Sequence, residues 1–351
     1  MDYASYLRIP ALLSLQQPES EKAGRPAHDE TLFIIVHQAY ELWFRQVLHE
    51  LDLVQGAFEA QILDDAEIGR VCRALERIHR VLKLLIAQFD VLETMTALDF
   101  LEFRDLLTPA SGFQSTQFRL IETRLGLGRD QRLSFDGKPF EQRLDADGRG
   151  AVAQAEGRAA LADQIAAWLE RTPFVAMGGF DFQAAYRRTI DEALAEDIGR
   201  IAANPALGAD DRIRQTAALT RSRGLLATLE GDGAPAPGFR FGPRALRAAL
   251  FILLYRDEPA LQLPFRLLSL LMDVDEDLAQ WRYAHALMVS RMIGSKIGTG
   301  GSSGADYLRQ TAEKHRVFGD LFALATFLIP RSRLPALPED VRRAMRYRYA
   351  D

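Results

Sequence analysis

Six histidines, His28, His37, His49, His79, His285 and His315, are the residues of this chain best suited to hold a metal or handle a proton. His285 lies in WRYAHALMVSRMIG, where Trp281, Leu287, Met288 and Met292 surround it with large, soft apolar groups. Such a helical face can be ordinary core, and methionine stripes usually are. It is also what a porphyrin requires: an apolar slot with one imidazole as axial ligand. His37 stands in LFIIVHQAYELW, one helical turn after Phe33, so the two side chains share a face. A histidine beside a phenylalanine on an apolar face is more often a satisfied core residue than a catalyst. His49, His79 and His315 sit among charged neighbours and read as surface or hydrogen-bonded groups.

Other chemistries lack their residues. There is no H-E-x-x-H, no second cysteine beside Cys72, and no pair of histidines at metal-ligand spacing on one helix, which argues against zinc. Cys72 falls in an ordinary helical pattern and gives a nucleophilic triad little support. The loop KIGTGGSSG, Lys296 to Gly304, invites a phosphate cradle. It lacks the G-x-x-x-x-G-K-[ST] order and no strand precedes it, so a flexible linker is the plain alternative.

The elements that must position these groups are helical. Over residues 29–53 apolar side chains recur at three- and four-residue steps, and Asp29 and Glu30 suit the positive end of a helix start. A second helix is predicted over 65–94, with Val71, Leu75, Ile78, Val81, Leu82, Leu85 and Phe89 on its core face. Shorter helices follow at 97–107 and 114–125. The stretch 128–157, rich in Asp, Gly, Arg and Lys, predicts loops. Helices resume at 159–170, 182–202, 210–230 and 242–255. A long helix is predicted over 261–294 with a break near Met272, then the glycine-serine loop, then a final helix over 303–328. No strand alternation and no internal repeat is evident. The reading is all-α: a single helical-bundle domain over 1–351, with inserted loops and an N-terminal arm over 1–27.

Composition limits the setting. With 351 residues and 48% hydrophobic content, a sizeable core is available. The 43 basic residues against 48 acidic ones show no basic tract, so no nucleic-acid partner is expected. No apolar run reaches membrane-spanning length. The start, MDYASYLRIPALL, has no basic region ahead of an apolar stretch, so no secretion signal is expected. The single cysteine excludes an intramolecular disulfide and suits a reducing cytosol.

Three blocks, taken together, are specific. HDETLFIIVHQAYELWFRQVLHEL from His28, VLETMTALDFLEFRDLLTPASGFQSTQFRLIE from Val91, and WRYAHALMVSRMIGSKIGTGGSSGADYL from Trp281 resemble, in order, the signatures of tryptophan 2,3-dioxygenases. The resemblance runs from Tyr3 to beyond Pro330 and takes in AWLERTP at Ala167 to Pro173. It is nearer to the animal-type branch, on HQAYELWF and Phe100. It implies an all-α heme b domain in a homotetramer. It also implies that ferrous heme and O2 open the indole C2–C3 bond of L-tryptophan to give N-formylkynurenine. By matching position, it implies that His285 is the axial ligand of the heme iron, with Trp281 beside the heme. His37 would lie near the indole nitrogen, with Phe33 and Phe100 as walls of the indole pocket. Arg104 would grip the substrate carboxylate and Thr299 the ammonium and carboxylate ends. Ser111 would be a small polar group over the heme. Tyr3 and Tyr6 would reach into a neighbouring subunit's site. The 128–157 stretch shows no match and receives no role. Physical reasons stand beside the likeness: an arginine fork suits a carboxylate, and Gly298, Gly300 and Gly301 would let a loop close over substrate.

Overall fold

The structure, a computed structural model, describes residues 1–60, 62–129, 131–133, 140–294 and 304–347. Its regular elements are almost all helices. Among the described residues the one sheet is a two-stranded antiparallel pair, Ala176–Met177 with Phe180–Asp181. Gly178 and Gly179 turn it at positive φ, as a two-residue hairpin turn of this hand demands.

The chain divides into two compact units, each built from three segments. The first comprises Met1–Gly56, Arg73–Leu161 and Asp273–Val317. It contains most of the helices Glu30–Glu59 and Asp65–Leu92, all of Ala97–Arg104, Thr116–Leu125 and Ala146–Glu156, and the later part of Pro259–Ile293. The periodic residues of the sequence are its core: Val47, Leu51, Leu75, Ile78, Leu82 and Leu85 are buried, with Phe103 and Ile121. Short helices, Tyr3–Leu7, Ile9–Leu12 and Glu19–Lys22, punctuate the N-terminal arm. The buried Glu30 carboxylate ties the arm down by accepting the Glu19 and Ser20 backbone N–H groups at 2.8 and 2.9 Å.

The second unit comprises Ala57–Cys72, Ala162–Met272 and Phe318–Asp351. Phe182, Phe241, Leu246, Phe251, Leu267 and Leu271 form its core. Its loops are stitched by polar groups inside that core. The Tyr186 hydroxyl donates to the Phe327 carbonyl at 2.5 Å, and Asp320 accepts from the Arg240 and Phe241 N–H groups.

Three expectations need correction. The long helix runs unbroken from Pro259 to Ile293, because nothing near Met272 removes a hydrogen bond; the division between the units falls at that residue instead. The final helix stops at Lys314 and resumes at Gly319. Buried side chains claim the backbone between: Asp275 accepts the Val317 N–H at 2.9 Å, and Arg282 donates to the His315 carbonyl at 3.0 Å. The 128–157 stretch contains the helix Ala146–Glu156, capped by Asp145, whose carboxylate accepts the Gly148 N–H. Two glycines and a row of alanines hid its period; Val152 alone of its large apolar residues is buried, against Leu144 and Leu120.

Candidate active site

A cavity of about 280 Å³, open to solvent, lies within the first unit. That is close to the lower end of the roughly 300–1,000 Å³ of an ordinary small-molecule pocket. Helix Glu30–Glu59 presents Phe33, His37, Tyr40, Glu41 and Phe44 to it, the spacing of one helical face. Phe33 stacks on Phe100 at 5.7 Å between ring centroids, and Phe103 meets both edge-on at 5.6 and 5.4 Å. Helix Ala97–Arg104 is set by a reciprocal cap, with Thr96 accepting from the Asp99 N–H and Asp99 from the Thr96 N–H. The cap fixes where Phe100 and Arg104, one turn apart, enter the lining. Ser111 reaches the lining as the cap of the short turn Gly112–Gln114.

Two of the three histidines that line the cavity, His37 and His285, are held differently. His37 Nδ1 lies 2.7 Å from the Phe33 carbonyl oxygen. A carbonyl only accepts, so Nδ1 carries the proton and Nε2 keeps a lone pair. The His37 ring packs 4.1 Å from the Phe33 ring and is accessible from the cavity. Crowding by protein lowers its pKa, with the Phe33 bond and Glu41 opposing. The ring is therefore neutral at pH 7.

His285 projects from helix Pro259–Ile293 between two aromatic rings, Phe89 stacked at 5.9 Å and Trp281 at 5.2 Å. Trp281 in turn packs against Phe118 at 4.8 Å and against Phe89, Tyr40 and Phe44 at 6.0–6.3 Å. Burial, with a lesser contribution from His37, pushes the His285 pKa down to about 4. Its Nδ1 is buried and has no hydrogen-bond partner among the described residues. A neutral imidazole in apolar surroundings, unclaimed by other protein groups, is a ready metal ligand.

The other end of the lining is charged and buried. Glu122 is 2% exposed, Arg282 3%, Arg119 6% and His315 1%. Arg119 donates to one Glu122 oxygen at 2.8 Å and Arg282 to the other at 2.8 Å. The His315 Nε2 accepts the Leu133 N–H at 3.2 Å, which places the ring proton on Nδ1, 3.8 Å from Glu122. Burial pushes the Glu122 carboxyl up, but Arg119, His315, Arg282 and Arg132 outweigh it and hold it well below its usual range.

Of the residues singled out in the sequence, Phe33, His37, Phe100, Arg104, Ser111, Trp281 and His285 all line this one cavity. Tyr3 and Tyr6 stand 75% and 70% exposed on the arm and are not among its lining residues. Thr299 and its neighbouring glycines fall outside the described residues. Sequence reasoning missed Arg119, Glu122, Arg282 and Tyr307, and set His315 aside as one more residue among charges. The available signal was Arg119 and Glu122 three residues apart, flanking Leu120 and Ile121, a charged pair inside an apolar pattern.

Helices that converge on an aromatic cavity lined by a neutral imidazole define a class: an all-helical protein with an aromatic-walled pocket and a histidine in its lining. The family model described as tryptophan 2,3-dioxygenase matches residues 1–328. A tryptophan 2,3-dioxygenase of Bdellovibrio bacteriovorus is 46% identical, covering 99% of this chain and 98% of that protein. One of Dictyostelium discoideum is 41% identical over 99% of this chain and 88% of the relative. One of Xenopus tropicalis is 41% identical over 97% and 85%. The chain belongs to the tryptophan 2,3-dioxygenase family.

Proposed function

We propose that this protein oxidises L-tryptophan with O2 to N-formylkynurenine, using heme b seated against His285. The observation that carries the reading is the His285 imidazole, held neutral in the lining of an open, aromatic-walled cavity. The residues present fit that cofactor. Phe89, Trp281, Phe118, Met288 and Met292 offer an apolar slot. The lining cations Arg104, Arg119 and Arg282 outnumber the lining carboxylates Glu41 and Glu122, an excess that suits the acidic edge of a porphyrin and a substrate carboxylate. When bound, ferrous heme supplies the oxygen chemistry that opens the indole C2–C3 bond.

The chain's own residues bind and orient. Phe33 and Phe100 flank the flat indole. His37 accepts the indole N–H at Nε2, in the tautomer fixed by the Phe33 carbonyl. Full deprotonation of so weak an acid is beyond an imidazole, so His37 positions rather than abstracts. Arg104 pairs with the substrate carboxylate through its planar fork, and Thr299 contacts the amino-acid ends. Ser111, in the cavity lining, would supply the small polar group over the heme. In this reading the whole chain acts as one dioxygenase domain, in the cytoplasm.

Assembly belongs to the same reading. Tyr3, Tyr6, Leu13 and Leu15 on the arm and Ile35, Leu42 and Leu98 on the helices are exposed apolar groups, as a buried subunit interface requires. We place Tyr3 and Tyr6 in a neighbour's cavity within a homotetramer. Light scattering should return a tetramer, and a fully active monomer would remove this part.

The test of the whole is direct. Reduced, heme-loaded protein mixed with L-tryptophan and air should develop the formylkynurenine absorbance. Labelled oxygen should place both atoms in the product. His285→Ala should lose the heme Soret band. Heme retained at parental affinity with turnover intact would overturn the assignment.

A further inference from the structure

We infer that Glu122 is a positioning residue for His285, acting through Arg282; the inference rests on His285 being the heme ligand. Arg282 precedes His285 by three residues on one helix, so the two lie on neighbouring faces of the same turn. The Arg282 guanidinium has two prongs in use. One nitrogen donates to Glu122 at 2.8 Å and the other to the His315 carbonyl at 3.0 Å. Both partners are fixed. Glu122 has its second oxygen on Arg119, and His315 is held by the Leu133 N–H.

The frame extends to the other histidine. Glu122 lies on helix Thr116–Leu125, which is pinned to helix Glu30–Glu59 at both ends. Near its start, Gln117 donates to the Glu41 carbonyl and carboxylate at 2.7 and 2.8 Å. At its end, Arg124 donates to Gln55 at 2.7 Å, to the Leu48 carbonyl at 3.2 Å and to Asp52 at 2.5 Å. Helix Glu30–Glu59 carries His37 and helix Pro259–Ile293 carries His285. Glu122 is thus the polar joint that sets one histidine-bearing helix against the other.

Rotation is what such a joint controls. Helix backbone atoms lie about 2.3 Å from the axis and a histidine nitrogen about 6 Å out, so turning the helix by 10° moves that nitrogen about 1 Å. Metal–ligand bonds hold to within about 0.2 Å, which leaves roughly 2° of freedom. Apolar packing is non-directional and constrains rotation less tightly than a two-pronged ionic contact.

The test uses Glu122→Gln, which keeps size and one oxygen but loses the charge. Two quantities are read: the rate of heme loss to apomyoglobin, and the ferrous iron–histidine stretching band by resonance Raman. We expect heme loss about tenfold faster and a shifted, broadened band, the usual scale for a residue behind a metal ligand. The same substitution is then made in His285→Gly protein supplied with free imidazole, which is not tethered to the helix. There Glu122→Gln should change nothing. Equal acceleration in that background means that Glu122 acts on the porphyrin or the fold at large, and overturns the inference. So does an unchanged loss rate in the parent background. If Glu122→Gln fails to fold, Arg282→Lys keeps the charge and loses one prong and is read in the same two backgrounds; it should speed heme loss with His285 present and not with free imidazole, and parental retention or equal acceleration in both refutes the inference. A parent protein that takes up no heme sinks the functional reading itself, and this inference with it.

Discussion

Replacing His37 with alanine removes a ring and, in the proposed reading, the acceptor for the indole N–H. The two losses can be separated. The ring packs 4.1 Å from Phe33, and that contact is lost whatever the substrate. The acceptor matters only to a substrate that carries an N–H. Because the Phe33 carbonyl holds the proton on Nδ1, Nε2 is the free acceptor and no neighbouring tautomer substitutes for it. Leaving a buried N–H unpaired costs about 1–3 kcal/mol. At 1.36 kcal/mol per tenfold, His37→Ala should lower kcat/KM for L-tryptophan by about 5- to 150-fold from this source alone. The comparison substrate is the benzothiophene analogue, with sulfur in place of the indole N–H. Its kcat/KM should fall only by the packing loss, a few-fold. Steady-state kinetics on both substrates with both proteins closes the cycle. Equal losses for the two substrates would refute the hydrogen bond. A loss lying wholly in kcat and exceeding about 10³-fold would instead mark His37 as a proton-transfer catalyst, whose removal costs 10²–10⁴.

Three further outcomes follow from the same geometry. Arg104→Lys trades a planar fork for a point charge, so KM for L-tryptophan should rise about tenfold while tryptamine, lacking the carboxylate, is indifferent; equal effects on both would remove Arg104 from the carboxylate. Burial lowers the His37 pKa, so KM should stay flat from pH 8 to about 6.5 and rise only below, where protonation turns Nε2 from acceptor to donor. A KM rise centred above 6.5 would contradict this. The heme-free protein should lose stability as pH falls from about 6.5 toward 4: unfolded histidines take up protons there that buried His285 refuses, so the unfolded state binds more protons and gains. Urea midpoints that are equal at pH 7.5 and 5 would count against it.

The helices that carry His37 and His285 were legible because their evidence is local. Phe33, His37, Tyr40 and Phe44 announce one face by spacing alone, and Trp281, His285, Met288 and Met292 another. The chemistry of those faces was not legible from period, since a buried histidine among aromatics is usually core; only the likeness to a family gave it a reaction. The charged joint was invisible for a different reason. Glu122 and Arg282 stand 160 residues apart, and nothing in either local pattern predicts the partner. His315 misled most. Its neighbours Lys314 and Arg316 are charged, yet the ring is buried because Arg282 and Asp275 draw the backbone around it inward. The same pull ended a helix that periodicity would have continued.

That joint is also a poor source of stability. Arg119, Glu122 and Arg282 form a buried ion triad, and exchanging such a triad for apolar residues of like volume is often neutral or stabilising. Desolvating three charges costs several kcal/mol per ion before their attraction offsets it. If folding alone shaped this region, the apolar pattern around Phe118 and Ile121 would serve as well with leucine or methionine at those sites. What apolar side chains cannot supply is direction. A leucine packs over a range of rotations, whereas a guanidinium shared between a carboxylate and a carbonyl accepts one. The net positive charge of the triad adds a second property, a preference for an anionic occupant in an otherwise apolar cavity. Orientation of the His285 helix and attraction of an acidic cofactor edge both matter to a heme site, and neither is required for the chain to fold.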